Sequence, residues 1–112
     1  MKFLKAFNNS AALVEDDGTE KIVLGKGIGF GFKKGQDVDQ SKIERCFVTT
    51  EQSDEVEQVK EFTAQTIDVT NQIVKLVEPL LQTKFSDFQY LALADHIDID
   101  PANNDWEVKN LF

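Results

Sequence analysis

Leu24-Gly25-Lys26-Gly27-Ile28-Gly29-Phe30-Gly31-Phe32-Lys33-Lys34-Gly35 is the stretch on which the reading of this chain turns. Glycine occupies every second position from Gly25 to Gly31, which removes side chains and lets another backbone approach closely. Lys26, Lys33 and Lys34 set positive charge beside that bare backbone, and Phe30 and Phe32 supply flat apolar faces. Open backbone, ammonium groups and aromatic rings together suit a nucleic acid, above all its unpaired bases. The plainer alternative is a glycine-rich β-hairpin in an ordinary small sheet. Phosphate loops of nucleotide enzymes fit poorly. A dinucleotide fold needs a helix N-terminus directly after the glycines, and a Walker loop needs Ser or Thr after Gly25-Lys26, where this chain has Gly27.

Upstream of that stretch the pattern is one of short strands. Residues 2–7 and 11–15 are apolar-rich runs separated by the turn-forming cluster Asn8-Asn9-Ser10. Asp16-Asp17-Gly18 marks a tight hairpin, because Asp-Gly supplies the positive φ such turns need. Residues 20–24 are the returning strand, and residues 42–49 form a last one after a loop at Lys34–Asp37, giving about four antiparallel strands. A unit this short hides only about 60% of its unfolded surface. Phe3, Phe7, Leu13, Ile22, Leu24, Ile28 and Phe47 exceed what one sheet covers, so the expectation is a homodimer with sheet packed on sheet.

After Thr50 the composition turns acidic and helix-compatible. Ser53-Asp54-Glu55 reads as a helix start, with Val56, Val59 and Phe62 at helical spacing. Ile73, Val74, Val77, Leu80 and Leu81 continue that period in a second helix shortened or kinked by Pro79. Ser86-Asp87 caps a third, with Phe88, Leu91 and Ile97 on its apolar face. The segment from Pro101 to Asp105 is turn-like, and residues 106–112 read as a last short helix. The fold class is therefore α+β: a four-stranded antiparallel sheet domain at residues 1–50, followed by a small all-α segment at residues 53–112.

Charge divides the chain the same way. The net charge of −8 over 112 residues looks wrong for a nucleic-acid binder, but residues 1–48 carry eight basic against seven acidic side chains, whereas residues 49–112 carry four against thirteen. Such asymmetry argues for two modules with different partners. The single cysteine, Cys46, cannot form an internal disulfide, which fits a reducing, cytoplasmic setting. Lys5 and Asn8-Asn9 interrupt the apolar start too early for a signal peptide, and no apolar run reaches membrane-spanning length.

His96 is the only histidine, between Asp95 and Asp98. As a general base or metal ligand it lacks a second histidine or thiol to complete a site. Two other readings remain: a helix-surface histidine whose charge its acidic neighbours favour, or an imidazole that accepts a phosphoryl group from a donor protein. No enzyme activity, metal or cofactor is expected.

Lys2–Asn9, Ile22-Val23-Leu24-Gly25-Lys26-Gly27-Ile28-Gly29-Phe30, and Gly35-Gln36-Asp37-Val38-Asp39 leading into Lys42-Ile43-Glu44-Arg45-Cys46-Phe47 together resemble the RNA-binding co-antiterminator domain of the BglG/SacY family of bacterial transcriptional antiterminators. Residues 53–98 are similar to the start of the family's first phosphotransferase-system regulation domain, most clearly at Leu93-Ala94-Asp95-His96-Ile97. The resemblance implies a dimeric sheet that binds a partly paired RNA hairpin in a sugar-utilisation operon and prevents an overlapping terminator from forming. It places RNA contacts on Lys5, Ser10, Gly25, Lys26 and Phe30, with Asn8 and Asn9 in the adjoining turn, and phosphorylation on His96. A phosphocarrier protein or sugar permease is the implied protein partner. The family usually has Asn at the position of Ser10 and often Arg at that of Lys26. Its pattern beyond Ile97 is longer than here, so the regulation domain is expected to be incomplete and the second one absent. The alternative function is a phosphorylation-dependent interaction module, or a dominant-negative dimerisation module with no RNA target of its own.

Overall fold

The computed structural model describes residues 1–48, 54–100 and 105–108. Four strands, β1 (Lys2–Asn8), β2 (Ala11–Asp16), β3 (Thr19–Leu24) and β4 (Arg45–Val48), form one antiparallel sheet in the order β1-β2-β3-β4. The β2–β3 turn has Asp17 at φ 53° and Gly18 at φ 83°, the left-handed pair that a two-residue hairpin demands. Between β3 and β4 the glycine-rich stretch runs as successive turns rather than as a hairpin, and ends in a 3₁₀ turn at Gln40–Lys42. Strand β4 is accordingly shorter than the pattern suggested, because Lys42 belongs to that turn.

Three helices follow: α1 (Asp54–Glu61), α2 (Ala64–Leu81) and α3 (Asp87–His96). The Thr63 side chain caps α2, and Ser86 with Gln89 builds a reciprocal capping box on α3. Pro79 lies inside α2, which ends two residues later with Gln82 in the left-handed conformation. The expected cap at Ser53 and the turn at 101–104 lie outside the described residues.

Several expectations need correction. Asp105–Val108 is a strand, β6, not the start of a helix. It pairs with β5 (Ile97–Asp100) in a second, two-stranded sheet. Leu80 and Leu81 of α2 and Phe88 of α3 are exposed, so the apolar period does not mark a buried face at those positions. In α3 the buried residues are instead Tyr90, Leu91, Leu93 and Ala94.

The reason given for a sheet-on-sheet dimer also fails. Alternation along the strands splits the apolar residues between two faces, and the chain covers both. Ala11, Leu13, Ile22, Leu24 and Phe47 face the helices, meeting Val59, Ile67, Val74 and Tyr90 in one core. Phe3, Ala12, Val14 and Val23 face the other way, under Ile28 and Val38 from the glycine-rich loop. Of the apolar residues thought to need a second copy, all but the partly buried Phe7 are buried within one chain.

Candidate nucleic-acid interface

The Asn8-Asn9-Ser10 turn and the glycine-rich loop are held against each other by backbone hydrogen bonds. Gly25 N–H donates to the Ser10 carbonyl (3.0 Å) and Gly29 N–H to that of Asn9 (3.0 Å). The approach is so close that a Cβ on Gly29 would sit 2.1 Å from the Asn8 carbonyl oxygen, and one on Gly25 only 1.8 Å from that of Lys42. The alternating glycines do admit another backbone, but at these two positions it is the chain's own.

This packing sorts the expected site residues into two groups. Asn9 and Lys26 are exposed, and Phe30 is 70% exposed, on the turn and loop that the hydrogen bonds join. Lys5 is exposed on β1, with its Nζ 5.7 Å from the Phe7 ring centroid. The loop thus presents an aromatic face and one ammonium group to solvent, and β1 presents a second ammonium group. Phe32, by contrast, is half-buried with its ring 6.0 Å from that of Phe3, serving the core.

Three of the expected contacts are turned inward. Gly25 is buried. Ser10 is 1% exposed, and its hydroxyl donates to the Asp68 carboxylate of α2 at 2.6 Å. Asn8 accepts from the Ser10 N–H with Oδ1 (2.8 Å), an Asx turn, and donates from Nδ2 to the Phe62 carbonyl (2.9 Å). The helical half holds Asn8 and Ser10 by their polar atoms. Ser10 is buried by these contacts, while Asn8 stays half-buried.

The joint between sheet and helices has a second anchor that the sequence reading missed. Arg45 projects from β4 onto the helices, where its guanidinium lies 4.7 Å from the Tyr90 ring centroid, donates to the Phe85 carbonyl, and stands near Asp87 (3.7 Å) and Glu78 (4.0 Å). Tyr90 is buried edge-on to Phe47 and donates to Asn71 Oδ1. Burial pushes its phenol well above the ordinary value, against the opposing pull of Arg45. No periodicity links residues 40 or 58 positions apart, so sequence reasoning had no signal for Arg45–Phe85 or Ser10–Asp68.

His96 is the last residue of α3 and half-buried. Cys46 lies on β4, and partial burial raises its thiol pKa while Lys21 works against the rise. Among the described residues, no cluster of three or more His, Cys, Asp or Glu side chains could hold a metal ion, and no helix is long and apolar enough to cross a membrane.

Comparison with known proteins bears on this geometry. The Beta-glucoside operon antiterminator of Dickeya chrysanthemi is 28% identical over 129 aligned residues, covering all of this chain and 44% of its own length. Transcription antiterminator LicT of Bacillus subtilis (strain 168) is 31% identical over 127, again covering all of this chain but 46% of the relative. The chain therefore spans less than half the length of these curated relatives. Among solved structures, the crystal structure of GlcT CAT-PRDI aligns with a TM-score of 0.67 over 85% of this chain and 59% of that one, at 24% identity, so the sheet-then-helices fold is shared. The family model for the CAT RNA binding domain matches residues 1–56, half of the chain and the whole of the sheet, turn and glycine-rich loop. The protein belongs to the CAT RNA binding domain family.

Proposed function

We propose that the chain is the RNA-binding part of a bacterial transcription antiterminator acting in the cytoplasm. It binds a partly paired RNA hairpin of a sugar-utilisation operon and hinders formation of an overlapping terminator. The observation that carries this reading is the hydrogen-bonded pairing of the Asn8–Ser10 turn with the glycine-rich loop, which leaves Asn9, Lys26 and Phe30 exposed together. Phe30 stacks on an unpaired base, Lys26 and Lys5 meet phosphates, and Asn9 reaches base edges or 2′-hydroxyls. No bond is made or broken. A hairpin whose binder is present at a hundred times Kd gains about 2.7 kcal/mol over its competing fold by mass action. Asn8, Ser10 and Gly25 act in this reading by shaping the turn rather than by touching RNA.

Titration of a hairpin containing an unpaired loop, by fluorescence anisotropy at two salt concentrations, tests the proposal. Phe30→Ala removes a stacking contact of about 1–3 kcal/mol, so binding weakens roughly five- to hundredfold with the circular dichroism spectrum intact. Lys26→Ala flattens the salt dependence. Unchanged affinity in both variants would remove the site. Homodimerisation enters this reading from the family resemblance alone, and light scattering on the RNA complex checks it by counting chains per hairpin.

A second reading takes support from the bonds of Asn8 and Ser10 to the helical half. On it, the helices at residues 53–112 are a regulatory unit, phosphorylated at His96 by a phosphocarrier protein or sugar permease. Incubation with a phosphorylated phosphocarrier, followed by mass spectrometry of wild type and His96→Ala, decides between a modified and an unmodified histidine.

A further inference from the structure

The cleft between β1 and α1 has a composition that the sheet alone does not supply. It encloses about 480 Å³ and is lined by Lys5, Phe7 and Leu13 of the sheet, Glu20, Lys34 of the glycine-rich loop and Lys60 of α1. That volume falls in the range of about 300–1,000 Å³ typical of small-ligand sites. Lys5 stands opposite Leu13 across the β1–β2 ladder, so it projects on the face that the helices cover. Lys60 of α1 lines the same cleft. Lys5 Nζ lies 5.7 Å and Lys60 Nζ 5.8 Å from the centroid of the same Phe7 ring.

Three ammonium groups from three separate segments surround an apolar floor, with one carboxylate, Glu20, in the wall. The lining thus carries more positive than negative charge, which favours an anion. Lys60 is otherwise engaged with Glu57 one turn away at 3.2 Å, an exposed helix pair of a kind that contributes little and exchanges readily for phosphate. A cationic cleft with an aromatic floor is how proteins hold single-stranded nucleotides.

We propose that this cleft takes one unpaired nucleotide of the bound RNA. Its phosphate lies between Lys5 and Lys60, with Lys34 at the rim, and its base lies on the floor formed by Phe7 and Leu13. The inference rests on the RNA-binding reading above. It makes the helical half a direct contributor to RNA binding through Lys60, outside the matched residues 1–56.

The test uses the whole chain, wild type, Lys60→Ala and Lys84→Ala. Lys84 is an exposed lysine in the α2–α3 connection that serves as a charge control. Each is titrated with two hairpins of equal length, one with an unpaired loop and one fully paired, at 50 and 200 mM salt. On the looped hairpin, Lys60→Ala lowers the salt slope by about 0.7–0.9, so its affinity loss shrinks roughly threefold between the two salts. On the paired hairpin it matches wild type, and Lys84→Ala matches wild type on both. An unaltered slope for Lys60→Ala on the looped hairpin overturns the inference, as does an equal loss on both hairpins. Failure of the wild type to bind either hairpin overturns the RNA reading itself, which is a different result.

Discussion

Replacing Asp68 by alanine tests whether sheet and helices form one cooperative unit. The Ser10 hydroxyl is 1% exposed and donates to the Asp68 carboxylate at 2.6 Å. A bond of this length to an ionised acceptor is in the stronger class. Truncating Asp68 leaves the buried hydroxyl without its acceptor, at a cost of about 1.5–3 kcal/mol. Ser10→Ala, the reciprocal change, leaves a carboxylate that is only half-buried and can turn to water, so its cost is smaller, about 0.5–1.5 kcal/mol. Once Asp68 is gone, removing the hydroxyl abolishes the unsatisfied group, so the double variant is less destabilised than the two singles combined. A coupling of at least about 1 kcal/mol is the expected signature of a direct contact.

Urea denaturation followed by both circular dichroism and Trp106 fluorescence reads this out. A loss of about 2 kcal/mol moves the midpoint by on the order of 1 M at constant slope. The reasoning is refuted if the double variant is additive. It is equally refuted if the curve splits into two transitions and Asp68→Ala leaves the first of them unmoved, because then the helices do not share the sheet's stability.

Three further outcomes follow from the same structure. Gly25→Ala and Gly29→Ala each force a Cβ into a backbone carbonyl oxygen, at 1.8 and 2.1 Å, and should unfold or severely destabilise the protein in a thermal melt, whereas Gly18→Ala meets nothing within 4 Å and costs only the strain of its positive φ, of order 1–2 kcal/mol. Tyr90→Phe keeps the ring packing against Phe47 and Arg45 but leaves Asn71 Oδ1 buried without its donor, costing about 1–2 kcal/mol by denaturant titration. Because the folded-state pKa of Tyr90 is raised, its contribution is fully present below the unfolded phenol value of about 10 and is lost as pH climbs towards the folded value, so wild type should lose stability above about pH 10 and Tyr90→Phe should lose less.

Features set by near neighbours were legible in the sequence. Asp17-Gly18 specified its turn, Ser86 its helix cap, and the apolar runs at residues 11–15 and 20–24 the strands β2 and β3. What covers each face was not legible, since hydrophobic period reports that a residue is buried without naming its partner. That gap let apolar residues packed on the chain's own helices and loop be counted as surface in need of a second copy. Phe88 and Leu80 failed for a related reason: three helices leave part of each helix surface bare, and apolar residues occur there too. The β5–β6 hairpin did have a signal, the two-residue alternation of Ile97-Asp98-Ile99-Asp100, which went unused when Ile97 was counted on the third helix and residues 106–112 were read as another.

The site was partly legible in the same way. Composition alone marked Lys26 and Phe30, and both are exposed beside the turn they were grouped with. The bonds of Ser10 and Asn8 to the helical half were not legible because their partners, Asp68 and Phe62, are 58 and 54 residues away. Lys60 was overlooked because it belongs to an acidic helix whose average charge conceals one basic side chain turned towards the sheet.

The three-residue turn therefore faces two ways. Asn8 and Ser10 bind the helices, while Asn9, between them, stays in solvent with the loop that carries Lys26 and Phe30. Any influence of the helical half on RNA binding that runs through this turn must alter those two hydrogen bonds, and its size is bounded by what they are worth. The Ser10–Asp68 bond, at about 1.5–3 kcal/mol, limits its own share of such coupling to roughly 10- to 150-fold. Lys60 offers a different route, since it lines one cleft with Lys5 and Phe7 without passing through the turn. Asp68→Ala and Lys60→Ala separate the two. The first acts on the shape of the turn and should leave the salt slope of RNA binding at its wild-type value, while the second acts on charge and should lower the slope by about 0.7–0.9.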